Sequence, residues 1–235
     1  MKLLTFLAIS IVLIGCGADN RKATDVSIMT NHSPIQPGPI VYVALGDSTG
    51  AGVGATEGGY VARLFKRILK LRPGSQLTNL CISGATTSDV MRSQLNQAVT
   101  AKPQLVTVGI GINDIGHGVS LEQFSTNYEE ILSTLRHKTA AAIVVTNIPD
   151  ISSAPSLPPA IRTEYQNTIV RFNQRLEEVA TRYGVVIFDV YKGTQKELPS
   201  HPEYFSADGF HPSDKGYELW ANEMWETIAL VIGAS

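Results

Sequence analysis

The sequence predicts an α/β fold, a three-layer α/β/α sandwich on a five-stranded parallel sheet in flavodoxin-like 2-1-3-4-5 order. Three observations predict it. Short apolar runs alternate with longer amphipathic segments across residues 40–232. The runs are nearly continuous in Val, Ile and Leu, as strands buried on both faces are. Small polar, often glycine-bearing turns follow the first three runs, and right-handed crossovers then wind such a sheet doubly.

The elements follow in order. IVYVALG at 40–46 reads as a first buried strand. In GYVARLFKRILKL (59–71), Val61, Leu64, Phe65, Ile68 and Leu69 recur at helical spacing, and Pro73-Gly74 closes the helix. QLTNLCI (76–82) is a second strand and 87–99 a helix. LVTVGIG (105–111) is a third strand, and a helix over 121–135 is entered through Ser120. AAIVVTNI (141–148) is a fourth strand, followed by a loop carrying Pro149, Pro155, Pro158 and Pro159. A long helix from 159 or 160 to about 183, a fifth strand VVIFDV (185–190) and a helix from Ser213 to Ile232 complete the chain.

A chain of 235 residues with 43% hydrophobic content suits one domain plus an extension. In MKLLTFLAISIVLIGC, Lys2 precedes an apolar stretch from Leu3 to Ile14, then Gly15 and Cys16. The stretch is shorter than the roughly 20 residues that span a bilayer, and fits a secretory leader. Leu13-Ile14-Gly15-Cys16 resembles the lipobox of bacterial lipoproteins, whose cysteine is lipidated and becomes the mature N-terminus. That resemblance implies a signal peptide over 1–15, a lipidated Cys16 with a tether over 16–39, and a domain over 40–235. It also implies a lipid-anchored protein of the bacterial cell envelope, on its periplasmic or extracellular face. Each buried CH₂ of an acyl chain adds about 0.8 kcal/mol of membrane affinity, so two or more long chains anchor firmly.

Charged residues are 17% and the net charge is −2. No clustered Lys/Arg patch marks a nucleic-acid footprint. Cys16 and Cys81 are the two cysteines, so lipidation of Cys16 leaves Cys81 without a disulfide partner; it reads as a buried, inert thiol. No His-x-His or tight His/Asp cluster suggests a metal, no cofactor is expected, and a monomer is.

In an open α/β sheet ligands bind outside the carboxyl ends of the strands, at the switch in strand order. Gly46-Asp47-Ser48 follows the first strand, Ser83-Gly84-Ala85 the second, and Gly111-Ile112-Asn113-Asp114 the third; Asp208-Gly209-Phe210-His211 comes after the fifth. The 2-1-3-4-5 order sets Ser48 and Asn113 across one crevice. Ser48 suits a nucleophile and His211 its base. Asp208, three residues earlier, suits the carboxylate that orients the imidazole. The Ser48 and Gly84 N–H groups and the Asn113 amide suit an oxyanion hole.

These four blocks, GDS, the glycine of SGATT, GIND and DGFHP, stand in the order of the SGNH (GDSL) hydrolase family, which the chain resembles over about residues 40–232. The resemblance implies Ser48 as nucleophile, Gly84 and Asn113 as oxyanion donors, and Asp208 with His211 completing the triad. It implies a compact serine esterase acting on short or medium acyl esters, lysophospholipids or acyl thioesters. The alternatives are deacetylation of envelope or plant polysaccharide on the same site, and a non-catalytic ligand-binding lipoprotein.

Asp47 is expected to accept backbone N–H groups in the turn, and Asp114 to be a cap or loop carboxylate rather than an acid/base. His117 is expected at the site rim, and His32, His137 and His201 exposed. GAGVGATEGG (50–59) lacks the ending of a phosphate-binding loop and reads as a flexible loop that can border the acyl pocket. Tyr60, Tyr204, Phe205 and Phe210 are candidate substrate-lining aromatics, and the Pro-rich 149–159 loop reaches the same rim.

Overall fold

The computed structural model describes residues 35–234. The expected signal peptide, Cys16 and most of the tether lie outside the described residues. The strands are β1 (Val41–Gly46), β2 (Gln76–Asn79), β3 (Leu105–Gly109), β4 (Ala142–Thr146) and β5 (Val186–Phe188). They form one sheet in the order β2-β1-β3-β4-β5, parallel throughout, with Tyr42 opposite Leu105 and Gly46 opposite Gly109. The expected architecture and strand order are therefore the observed ones.

The helices are α1 (Ser48–Ala51), α2 (Tyr60–Leu71), α3 (Thr87–Asp89), α4 (Leu95–Thr100), α5 (Ile112–Gly116), α6 (Leu121–Lys138), α7 (Arg162–Arg182), α8 (Val190–Glu197) and α9 (Asp214–Val231). Alternation along β1 sorts them into layers. Val43 and Leu45 face a core built with Ile131 and Leu135 of α6 and Leu176 of α7. Tyr42 and Ala44 face the opposite core, with Leu64 and Ile68 of α2 and Met224 and Ile228 of α9. Each such fully buried aliphatic side chain contributes about 1.5–3 kcal/mol. Ser120 and Ser213 cap α6 and α9, accepting the N–H groups of Gln123 and Gly216.

Three expectations are corrected. The strand expected over 185–190 stops at Phe188, because Asp189 accepts the Lys192 N–H and caps α8. The helix expected over 87–99 carries a π segment, Val90–Gln94, between α3 and α4. β2 is a half-exposed edge strand that ends at Asn79, although the Leu80 and Ile82 N–H groups still donate to Ala44 and Gly46.

Candidate active site

β1 ends two residues before Ser48, and the chain turns at once into α1. Asp47 caps that helix: its Oδ1 accepts the Thr49 N–H and hydroxyl, both at 2.9 Å. Ser48 is thus the first residue of a helix, with its N–H at the positive end of the turn. Its side chain is 3% exposed. Asp47 does what the sequence suggested, accepting backbone in the turn, and burial pushes its carboxyl up to about 6, against the Thr49 bonds that lower it.

His211 Nε2 lies 3.0 Å from Ser48 Oγ, and His211 Nδ1 lies 2.6 Å from Asp208 Oδ2. With the Nδ1 proton donated to the carboxylate, Nε2 is the acceptor for the serine hydroxyl. Asp208 Oδ1 accepts the N–H groups of Phe210 and His211 at 2.8 and 2.9 Å and the Ser206 hydroxyl at 2.8 Å. Partial burial works to raise its pKa, but the imidazole and these donors outweigh it and hold the carboxyl well below the usual range. The Asp-x-x-His spacing thus closes a tight turn in which one carboxylate oxygen organises backbone and the other orients the ring.

The segments bearing Gly84 and Asn113 are bolted together. Asn113 Nδ2 donates one hydrogen to the Ala85 carbonyl at 2.9 Å, which leaves its second for a ligand. Asp114 is fully buried and accepts the Thr87 N–H and hydroxyl, and Asn127 of α6 donates to that same hydroxyl. Asp114 lies inside α5 and holds the first residue of α3, whose N-cap is Thr86. Gly84 has φ +78°, and a Cβ there would meet nothing within 4 Å, so the backbone at this position borders open space on its Cβ side.

Several supporting residues were not legible from the sequence. Gln94 is 1% exposed. Its Oε1 accepts the Gly46 N–H and its Nε2 donates to the Gly46 carbonyl, both at 2.9 Å. This side chain pairs with the last residue of β1 as a neighbouring strand would. The π segment that bears it is of a kind often found at functional sites. A glutamine one turn beyond Val90 on an apolar stripe was the available signal.

The 50–59 segment is not a flexible border of the pocket. Asp214 at the start of α9 accepts the Thr56 N–H and hydroxyl and the Glu57 N–H. Arg63 of α2, 6% exposed, bonds Asp214 at 2.6 Å and Glu218 at 2.8 Å. At Gly54, φ +91°, an added Cβ would fall 2.9 Å from His211 Cβ and 2.8 Å from the Pro212 carbonyl oxygen. The segment braces the histidine loop from behind.

Other expectations sort cleanly. Tyr204, Phe205 and Phe210 line a cavity beside Ser48 and His211, as do Pro149 and Ile151 of the Pro-rich loop. Tyr60 does not: it is fully buried and stacks on Trp220 with ring centroids 4.8 Å apart. Cys81 is half-buried, its thiol pKa raised by burial, and it packs where a Cβ on Gly50 would stand. His117 is exposed and is not among the residues that line the cavity. His137 is exposed, its Nδ1 bonded to the Ser133 carbonyl, while His201 is half-buried against Tyr204 and Glu203. His32 lies outside the described residues.

A doubly wound parallel sheet with a hydrogen-bonded serine, histidine and aspartate at its carboxyl edge defines a hydrolase class. The model of the GDSL-like Lipase/Acylhydrolase family matches residues 44–219, and the chain belongs to this family, the SGNH hydrolases. It is a carboxylic ester hydrolase. The spore germination lipase LipC of Bacillus licheniformis is 29% identical, over 78% of this chain and 93% of its own. The fold is shared with LAE5, an alpha/beta hydrolase from the metagenome of Lake Arreo, Spain (22% identity, 85% of this chain and 97% of the other, TM-score 0.68). It is shared too with the Enterococcus faecalis lipase/acylhydrolase (24%, 80% and 95%, TM-score 0.63) and a catalytic mutant of Axe2, an acetylxylan esterase from Geobacillus stearothermophilus (18%, 85% and 97%, TM-score 0.68).

Proposed function

We propose that the protein is a serine esterase that cleaves short or medium acyl esters through an acyl-enzyme on Ser48. The observation that carries this reading is the continuous bond path from Ser48 Oγ through His211 to Asp208, opening on an apolar cavity. His211 Nε2 takes the hydroxyl proton as Ser48 Oγ attacks the ester carbonyl. Asp208 stabilises the imidazolium that forms. The Ser48 N–H, the Gly84 N–H and the spare hydrogen of Asn113 Nδ2 receive the oxyanion. His211 then protonates the leaving alcohol, and water repeats the sequence to release the acid.

The cavity supports an acyl substrate. It measures about 730 Å³ including its open mouth, and its walls come from Ile112, Ile151, Val190, Leu198, Phe210 and Trp220 among others. This wall favours an alkyl chain over a sugar. Lysophospholipids and acyl thioesters present the same acyl group. A second reading, deacetylation of polysaccharide, draws on the acetylxylan esterase of the same fold, since an acetyl group also fits this cavity.

We also read Cys16 as the lipid attachment that holds the enzyme, as a monomer, at the bacterial envelope. Acyl-chain profiling on aryl esters, beside lysophospholipid and acetylated sugar, tests the substrate. The expected optimum is a short-to-medium chain, abolished by Ser48→Ala. Preference for acetyl-sugar selects the second reading, and undiminished turnover by Ser48→Ala overturns both.

A further inference from the structure

The amino edge of the sheet, opposite the site, has an unusual composition. Six stretches meet there: the incoming chain at 35–41, the ends of helices with the following connections at 68–76, 97–105, 134–142 and 180–186, and the final turn and tail at 227–234. None contains an Asp or Glu, and together they carry Lys70, Arg72, Lys102, Arg136, Lys138 and Arg182. The helix macrodipole draws cations to helix C-termini and accounts for part of this bias. Three of the six are also occupied: Arg136 donates to Tyr183 and Gly184 carbonyls, Arg72 to those of Gln36 and Ile232, and Arg182 pairs with Glu129. Lys70, Lys102 and Lys138 are exposed and make no ion pair among the described residues.

The macrodipole does not account for the leucines beside them. Leu69, Leu71 and Leu230 are 42%, 50% and 44% exposed, the first two in the last turn of α2 and the third in that of α9. Part of this surface is continuous. Leu71 shares a depression with Pro37, Pro39 and Gly233, and the same prolines border a second one with Lys102 and Lys138. The nearest carboxylate on α9, Glu226, lies one turn back from Leu230.

The chain also arrives here. The Ile35 N–H donates to the Val231 carbonyl at 3.3 Å. The 34 residues before Ile35 include the apolar run from Leu3 to Ile14. We infer that this amino edge is a docking face for an anionic lipid surface, with the exposed leucines against the headgroup boundary and Lys70, Lys102 and Lys138 over acidic headgroups. Cations near such a surface attract it within about a Debye length, and exposed apolar side chains add contact area. No described helix is long and apolar enough to cross a membrane, so the contact is with the surface. Docked this way, the protein turns Ser48 and the acyl cavity away from the bilayer, toward substrates arriving from the aqueous side. The inference goes beyond the esterase reading and does not depend on it.

Hydrogen–deuterium exchange of the full chain on vesicles tests it, with phosphatidylcholine doped with phosphatidylglycerol compared with phosphatidylcholine alone. Anionic vesicles are expected to protect residues 69–74, 101–105, 138–141 and 229–234 and to leave 82–86 and 157–161 unchanged. Lys102→Glu with Lys138→Glu is expected to lower that protection by about fivefold per cation removed. Leu71→Ser with Leu230→Ser should weaken it without the salt dependence changing. Hydrolysis of a water-soluble aryl ester should stay at the parent rate in both pairs, which shows that they fold and keeps this test separate from that of the esterase. Protection around the exposed Ile82 and Ile161 at the catalytic edge would overturn the inference, as would protection at neither edge.

Discussion

The carboxyl and amino edges of the sheet are built from the ends of the same helices, yet they carry opposite chemistry. At the carboxyl edge Asp47, Asp114 and Asp150 are each at most 3% exposed, and each accepts backbone N–H groups. At the amino edge the connections lack carboxylates and carry cations and exposed leucines. Helix N-termini point N–H groups at the first edge and helix C-termini point carbonyls at the second. The edge that gathers N–H donors can hold buried carboxylates in its turns, and the same donors suit a substrate oxyanion. The difference teaches that buried carboxylates on backbone N–H groups organise the catalytic edge, whereas arginines on backbone carbonyls and exposed lysines leave the other edge cationic.

Breaking the carboxyl edge at the reacting atoms should have the largest effect. Ser48→Ala is expected to lower kcat by about 10⁴-fold or more with thermal unfolding unchanged, checked by ester hydrolysis and circular dichroism. Asn113→Ala removes the proposed oxyanion donor, and kcat should fall by about 10²–10³. Since Asn113 also bonds Ala85, some loss of stability should accompany it. A KM that rises with kcat intact would instead mark Asn113 as a ground-state contact.

Breaking the same edge from behind should cost less. Gly54→Ala forces a Cβ against His211 and the Pro212 carbonyl at a positive φ. Displacing a catalytic group by about 1 Å can cost about 10²-fold, so kcat should drop by up to that factor with KM near the parent value. An unchanged kcat would show that residues 52–59 do not brace the histidine loop.

The smallest effect is on stability and depends on pH. Asp47 is fully buried and its carboxyl is pushed up to about 6. Below its unfolded value of about 3.9, both states are protonated and no penalty exists. As pH rises toward 6 the unfolded chain ionises first, so stability falls, and the loss is complete above 6. Asp47→Asn keeps an oxygen for Thr49 and should be more stable than the parent by about 3 kcal/mol at pH 8 and nearly equal to it at pH 4, read from urea unfolding. The reverse ordering at pH 8 would show that the charge is held by partners that the Thr49 bonds do not reveal.

What the sequence made legible follows this contrast. Strand order, the turns at strand ends and the contact of Ser48 with His211 and Asp208 were readable because parallel strands impose one strong rule about where chemistry sits. Supports that depend on distant segments were not. Gln94 reaches Gly46 across 48 residues, and Asp214 reaches Thr56 across 158. No local pattern encodes either contact. Tyr60 was among the candidate substrate-lining aromatics, but packing of α2 against α9 set it on Trp220. The cap at Asp189 ended β5 early because a side-chain oxygen competed locally with the ladder.

The central claim, that Ser48 is the nucleophile activated by His211, is tested most directly by covalent labelling. The full chain is treated with an aryl fluorophosphonate and the adduct is located by peptide mass spectrometry. A single phosphonyl adduct on Ser48, absent from Ser48→Ala and strongly slowed in His211→Ala, is the predicted result. An adduct on any other side chain, or turnover that persists with no adduct at all, would contradict it.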